Sequence, residues 1–394
     1  MAIEHAAREQ VLAWLKAHES DMFALLEKIV NIDSGSRQEE GIAKVADCLR
    51  DSLDVFGIAT RVHESPGYGP CLVAAVGAEP QPMVGHYLLL GHMDTVFSPG
   101  TAAARPYAVC DKIAHGPGVA DMKSGLVMNV FVAKAFAELG ITDVPLLVVC
   151  TCDEEIASPS SRDLIMRFAT GARAVFNAEP GRVNSNFVVE RKGALFLDFE
   201  VYGVAAHSGV NQDQGRSAIE ALAHKILALH ALTDRKTGVT ANVGTVHGGL
   251  TINTVAAHVK AQLDVRFTHL VDREALHERI RQIILTPHIE GCSAEITREI
   301  DFLPLVPTEA SRAVAAAYTC CAHDVGLMIT GEATGGSADS GFCAAVGAPT
   351  ICGTGPVGGH AHTAKEYCEL MSVVPRAQTL AATILALAEN RTPC

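Results

Sequence analysis

The sequence predicts an α/β fold: a doubly wound, mostly parallel sheet interrupted by a smaller α+β insertion. Three observations predict it. Short, continuous apolar runs alternate with helical segments through the first half of the chain. The middle third then changes to strands of alternating apolar and polar residues, with two helices among them. From about residue 305 the helix, glycine-rich loop and strand pattern resumes. Continuous apolar runs mark strands buried on both faces, whereas alternation marks a sheet with one open face.

Taken in order, Ser20-Asp21 precedes an amphipathic run, Met22 to Val30, which reads as a capped helix. Residues 40–56 repeat that periodicity and stop near Gly57. Leu72 to Val76 and Tyr87 to Leu90 read as buried strands, the second ending at Gly91. Gly125 to Glu138 reads as a helix closed by Gly140. Val144 to Thr151 and Ala174 to Phe176 are further buried strands. In the middle third, Ala194 to Tyr202, Val239 to Val246 and Val255 to Phe267 read as strands, and residues 216–232 and 273–285 as helices. These assignments put an insertion at residues 193–303 and the doubly wound domain at 1–192 plus 304–394. A chain of 394 residues suits two domains.

Composition narrows the functional classes. Hydrophobic residues make up 48% and charged residues 19%, as in a globular protein with a sizeable core. No apolar run is expected to span a bilayer, and the polar start Met1 to Glu9 does not read as a signal peptide, so the expected location is cytoplasmic. The cysteines are scattered without a Cys-x-x-Cys pair and are expected to be reduced. Lys plus Arg total 31 against 44 Asp plus Glu, a formal charge of −13 with no basic stripe. Neither nucleic acid nor membrane is an expected partner.

Chemistry enters where His, Asp and Glu fall relative to the strands, because open sheets bind ligands at the carboxyl ends of parallel strands. Gly91-His92-Met93-Asp94 follows the Leu88 to Leu90 strand, and a spacing of two in extended chain puts His92 and Asp94 on one side. A His beside a carboxylate that orients its ring suits a metal ligand. Asp153-Glu154-Glu155 follows another strand, Glu179 a third, and His362 the Pro349 to Cys352 strand. Asp121 lies in Gly116 to Gly125, just before a helix. A lone His is an ordinary residue and paired Glu a solvated face, but five such sets at five element ends suit mixed nitrogen and oxygen ligation of divalent cations. Two cations about 3.5–4 Å apart need a bridging carboxylate and a further acid to handle a proton.

Leu89 to Val96, Gly116 to Gly125, Asp153 to Glu155, Ala178-Glu-Pro180, Ala206-His-Ser-Gly209 and His362 to Tyr367 together resemble the successive motifs of the di-zinc exopeptidase family. That family includes glutamate carboxypeptidase, aminoacylases and acetylornithine deacetylase. The resemblance covers nearly the whole chain, and Leu25 to Ile32 and Thr334 to Ser340 are most similar to the glutamate carboxypeptidase branch. It implies two Zn²⁺ per subunit, with Co²⁺ or Mn²⁺ able to occupy the same ligands. His92, Asp121 and Glu179 would hold one ion; Asp121, Glu155 and His362 the other, with Asp121 bridging. His360 is two residues from His362, but only His362 is followed by the motif's Thr-x-x-Glu. The resemblance also implies that Asp94 orients His92, that Glu154 is the general base, and that the inserted domain is a dimerisation (lid) domain. His207 would donate to the oxyanion across a homodimer interface. Substrate carboxylate binding falls to Arg266 and Asn253, with backbone donors from Gly335 and Gly336. The implied enzyme is a metallohydrolase of C–N amide bonds acting on a small peptide or N-acyl amino acid with a free carboxylate. An N-acyl-amino-acid deacylase or a dipeptidase is the alternative within the family. Val183 to Phe187 contains no Lys to meet a side-chain carboxylate, so side-chain specificity stays open.

Competing motifs fail on context. Gly353-Thr-Gly-Pro-Val-Gly358 fits a dinucleotide-binding fingerprint, but only 36 residues follow it and the next element, from Val373, is helical. No Gly directly precedes Lys123, as a phosphate loop would require. Cys152 beside three acidic residues would have its thiolate disfavoured. A family-shaped protein that only binds would be signalled by loss of Glu154 or a ligand, and all are present.

Overall fold

The computed structural model describes residues 2–389. Its helices are α1 (Ala2–Ala17), α2 (Glu19–Val30), α3 (Glu39–Asp54), α4 (Thr101–Ala104), α5 (Ser124–Glu138), α6 (Arg162–Ala169), α7 (Ala218–His230), α8 (Arg273–Leu285), α9 (Glu309–Asp324), α10 (Ser340–Ala345) and α11 (Leu370–Ala388). The chain divides into two units. One holds residues 1–190, 307–334 and 338–394; the other holds 191–306 with 335–337. Residues 335–337, assigned from sequence to the larger part, group with the smaller.

In the larger unit the continuous apolar runs become β2 (Cys71–Val76), β3 (Tyr87–His92), β6 (Leu146–Thr151) and β7 (Ala174–Asn177), buried at every position. Together with β1 (Ala59–His63), β8 (Phe187–Arg191), β13 (Gly331–Thr334) and β14 (Thr350–Cys352) they form an eight-stranded sheet ordered β1-β2-β6-β3-β7-β14-β8-β13. Helix α5 packs on β2, β3 and β6, while α10 packs on β7 and β14. Burial of every strand residue requires cover on both faces, as doubly wound architecture supplies. The α/β class is as expected, but "mostly parallel" is corrected to mixed. Pairing is parallel in the centre, β6-β3-β7-β14, and antiparallel at β1–β2, β2–β6 and β14–β8. Hydrophobic patterning registers burial, not strand direction, so it could not distinguish these. A small antiparallel sheet escaped the sequence altogether: β4 (Ala108–Cys110), β5 (Ile113–His115), β15 (Gly358–Gly359) and β16 (Tyr367–Glu369), ordered β15-β16-β5-β4.

The smaller unit is an antiparallel sheet ordered β10-β11-β9-β12, from β9 (Gly193–Tyr202), β10 (Thr240–Gly248), β11 (His258–Phe267) and β12 (Ser293–Phe302). Alternation does here what it predicts. Leu195, Leu197, Phe199 and Val201 of β9 and Val259, Leu263 and Val265 of β11 form a core with Leu222 and Leu229 of α7 and Ile280 and Ile284 of α8. Asp198, Glu200, Lys260 and Gln262 occupy the alternate positions. The two ends of this unit meet: Arg191 and Leu305 exchange both backbone hydrogen bonds, each 3.1 Å.

Two smaller expectations, the α2 cap and the cysteines, are corrected. Helix α2 starts at Glu19, its N-cap is His18 without a side-chain cap, and Ser20 and Asp21 lie inside the first turn. There Asp21 acts through its charge at the positive helix end. Helix α11 is long and apolar enough to cross a membrane by length and composition. Most of it is buried, against α1, α5 and α9, as befits a core helix. Among the described residues ten cysteines are free thiols, whereas Cys320 is disulfide-bonded.

Candidate metal centre

Strand β3 delivers His92 to its own carboxyl end with the side chain fully buried. Close packing brings the neighbouring chain up to it: a Cβ on Gly91 would stand 2.6 Å from Met122 Cε. The His92 ring is set by its Nδ1, 3.0 Å from the Asp94 carbonyl oxygen and 3.4 Å from Asp94 Oδ1. The main-chain carbonyl, more than the carboxylate, therefore orients the ring. The Asp94 carboxylate has a larger task. Its Oδ1 accepts from Glu154 N at 3.0 Å, and its Oδ2 accepts from Glu155 N at 3.2 Å and from Ser36 Oγ at 2.7 Å. It thus fixes the turn after β6 that carries both glutamates.

With Nδ1 donating, the lone pair of a neutral imidazole lies on Nε2. That atom faces oxygens only: Asp121 Oδ1 at 3.2 Å, Glu179 Oε1 at 3.5 Å and Glu154 Oε2 at 3.8 Å. On the other side of Asp121, His362 Nε2 stands 3.4 Å from Asp121 Oδ2 and 3.1 Å from Glu155 Oε2. Two groups of potential ligand atoms result, His92–Asp121–Glu179 and Asp121–Glu155–His362, each within 4.8 Å of one another. Asp121 belongs to both and offers a different oxygen to each histidine. His360 belongs to neither; its ring packs 5.9 Å from Tyr367.

The electrostatics describe a cluster lacking positive charge. Burial would lower the His92 pKa, but hydrogen bonds to Asp121, Asp94 and Glu179 hold it well above the usual imidazole range. Hydrogen bonds to Asp121 and Glu155 push His362 up to about 10. Burial would raise Asp121, yet the two histidines hold it well below the ordinary carboxylate range. Burial and the charge of Asp121 push Glu155 up to about 7, against the pull of His362. Glu154 is raised well above its usual value by burial and by Glu179, Asp339 and Glu155, with His92 opposing. Burial so deep is costly for unpaired charges. Glu155 Oε1 is buried with no hydrogen-bond partner. A donor set of carboxylate oxygens and imidazole nitrogens, with an orphaned buried oxygen, fits divalent cations.

The sequence missed supporting groups. Asp153 reads there as part of an acidic trio, but its carboxylate accepts from Ser160 N at 2.6 Å and from Ser161 Oγ. Asp339 is buried behind the glutamates, accepting from Ser158 Oγ and, at 3.3 Å, from Thr151 Oγ1. Burial pushes its carboxyl up to about 7. The one available signal was an Asp in a Gly-rich stretch ahead of a helix.

The remaining candidates lie in the smaller unit. His207 is exposed, and its Nδ1 accepts from Gly209 N (3.1 Å) and Val210 N (3.2 Å). The neutral ring therefore carries its proton on Nε2, as a donor. Asn253 is exposed; its carbonyl accepts from Ser208 N at 3.0 Å, linking its loop to that of His207. Arg266 forms a fork with Asp264, Nε to Oδ1 at 2.8 Å and Nη2 to Oδ2 at 3.0 Å, and donates from Nη1 to Ser337 Oγ at 3.2 Å. Three of its five N–H bonds are engaged, leaving one on each terminal nitrogen. Gly335 and Gly336 are exposed beside it in sequence to Ser337, and Gly336 O accepts from Arg191 Nη1 at 3.2 Å.

Fold and donor set define a metallohydrolase. The chain belongs to Peptidase family M20/M25/M40, whose profile matches residues 88–386. It is 28% identical over 369 residues to carboxypeptidase G2 of Pseudomonas sp. (strain RS-16), covering 91% of this chain and 87% of that one. It is also 28% identical over 211 residues to acetylornithine deacetylase of Photorhabdus laumondii, covering 50% and 52%. Among solved structures, its fold matches a tripeptidase from Staphylococcus aureus with a TM-score of 0.74 at 22% identity, over 94% of this chain and 99% of that one. A metallo-carboxypeptidase of the M20 family from Sulfolobus solfataricus matches with the same score at 16% identity, over 93% and 99%. The chain is thus a metallohydrolase acting on amide bonds.

Proposed function

We propose that this enzyme is a two-zinc hydrolase that cleaves the amide bond of a small peptide or N-acyl amino acid next to a free carboxylate. The observation carrying the proposal is Asp121, which presents its two oxygens to His92 and His362 at the meeting of two ligand groups, with Glu154 alongside. When bound at these residues, two such cations would supply Lewis acidity and lower the pKa of water at the site towards about 7. Glu154 belongs to neither ligand group and takes the proton of the attacking water. It then returns that proton to the departing amine nitrogen. His207, with its proton on Nε2, donates to the developing oxyanion. The two unengaged N–H bonds of Arg266 grip the substrate carboxylate, with Asn253 and the Gly335-Gly336 backbone as further donors.

The same proposal includes a homodimer, His207 serving the partner's site. Ile219, Leu227, Val246, Leu250 and Ile252 of the smaller unit are exposed apolar side chains, and β10 is an unpaired sheet edge. Both features support a second copy at that surface.

Similarity to acetylornithine deacetylase favours an N-acyl-amino-acid deacylase as the second reading. One panel tests both: peptides and N-acyl amino acids, each as free acid and C-terminal amide. Hydrolysis of free acids, abolished by chelation and by Glu154→Ala with both ions retained, is the expected result. Preference for short acyl groups over peptides would select the deacylase reading. Activity surviving Glu154→Ala sinks the mechanism, and activity surviving chelation sinks the metal.

A further inference from the structure

Glu366 stands four residues beyond His362, fully buried, and has no place among the candidate ligands. Its carboxylate points back to the segment that carries Asp121. Oε2 accepts from Gly118 N at 2.9 Å; Oε1 accepts from Ala120 N at 2.9 Å and from Asp121 N at 3.0 Å. Three incoming donors and no outgoing proton suit an ionised, acceptor-only carboxylate. Within the loop it grips, Gly118 O also accepts from Lys123 N at 2.9 Å. Gly118 is left-handed at φ +71°, and Asp121 and Met122 depart from helical geometry just before α5.

The main chain on both sides is tethered as well. His115 Nδ1 lies 3.2 Å from Glu366 O, and Tyr367 of β16 pairs with His115 of β5, which runs directly into the Gly116 to Asp121 loop. One buried carboxylate therefore ties the chain bearing His362 to the chain bearing Asp121.

We propose that Glu366 is the positioning residue for the bridging carboxylate: it fixes the Asp121 main chain so that Oδ1 and Oδ2 meet the two histidines, and it holds His362 in register with them. This rests on the two-ion reading of the centre. Glu366→Gln is nearly isosteric, but its amide nitrogen would face an N–H where Glu366 presents an acceptor. Partners of this kind, acting through a ligand, are commonly worth about 10–100-fold in metal affinity.

The test strips wild type, Glu366→Gln and Glu366→Asp of metal and titrates each with Zn²⁺ by calorimetry. Visible spectra of the Co²⁺-loaded proteins are then compared. The expected result is a roughly 10–100-fold weaker ion at Asp121–Glu155–His362 in the Gln variant, with altered Co²⁺ bands and circular dichroism like wild type. The Asp variant, which keeps the charge on a shorter stem, falls between. A folded Gln variant with wild-type affinity and spectrum overturns the proposal, because a merely structural Glu366 would move only the melting temperature. If the Gln variant does not fold, the Asp variant decides alone: weakened binding upholds the proposal and wild-type binding overturns it. Uptake of fewer than two ions by the wild type sinks the two-ion reading itself, whatever the variants do.

Discussion

The two units solve different problems of placement. In the larger, His92 is held by the Asp94 carbonyl, Glu154 and Glu155 by the Asp94 carboxylate and Asp121 by Glu366, while His362 is exposed. In the smaller, His207 and Asn253 sit on exposed loops, and Arg266 is shared with Asp264 and Ser337. A cation needs its ligands in place before it arrives, whereas groups that meet a substrate can be ordered by it. The contrast predicts that changes to the candidate ligands of the larger unit read out in metal content, and changes in the smaller unit in kinetics with metal intact.

The largest kinetic effect in the smaller unit belongs to His207. Removing one oxyanion donor costs about 10²–10³ in kcat, so His207→Ala should lose that much while keeping both ions. Mixing His207→Ala with Glu154→Ala subunits should restore activity, since a mixed dimer has one intact site. No restoration in an exchanging dimer means that His207 acts within its own subunit. Loss of metal in His207→Ala would break the comparison altogether.

Arg266→Lys comes next. A lysine cannot reproduce the planar fork, and a charged hydrogen bond is worth about 1.5–3 kcal/mol. KM for free-acid substrates should rise roughly 10–100-fold, kcat should hold, and amidated substrates should be unaffected. Equal KM values for wild type and Arg266→Lys would reduce Arg266 to a structural partner of Asp264.

The last effect concerns stability in the larger unit. Burial holds the Asp339 carboxyl at about 7, against an ordinary 3.8. The folded protein therefore keeps a proton that the unfolded chain releases. That contribution is complete below the ordinary value and is lost as pH rises through about 7. Asn cannot titrate, so metal-free Asp339→Asn should gain on wild type between about pH 5 and 8. Over that interval the gain is at most about 3 kcal/mol. Melting temperatures at the two pH values measure it, and parallel curves for the two proteins would remove Asp339 from the account.

Legibility followed the same division. The candidate ligands could be singled out because each of His92, Glu155 and Glu179 follows an apolar run, and strand ends are where a buried sheet meets a ligand. Strand direction was not legible, since β2 and β6 have the same apolar composition whichever way they pair. The purpose of Asp339 was hidden for another reason: its partner Thr151 lies 188 residues away, and no local pattern reports so distant a hydrogen bond. Glu366 was legible only as the end of a Thr-x-x-Glu motif, its purpose hidden until Gly118, Ala120 and Asp121 were seen to converge on it. The short sheet of β4, β5, β15 and β16 carried too few residues for any periodicity to register.

The pair Arg191–Leu305 has a consequence for how such a chain is assembled. Because residues 191 and 305 are hydrogen-bonded neighbours, everything between them leaves and re-enters the polypeptide at a single point. A reverse turn could close that gap, and the entropy of closing a loop grows only slowly with its length. The block of residues 192–304 therefore sits on the chain as an insertion at one paired position, and changes in its length need not displace Arg191 from Leu305.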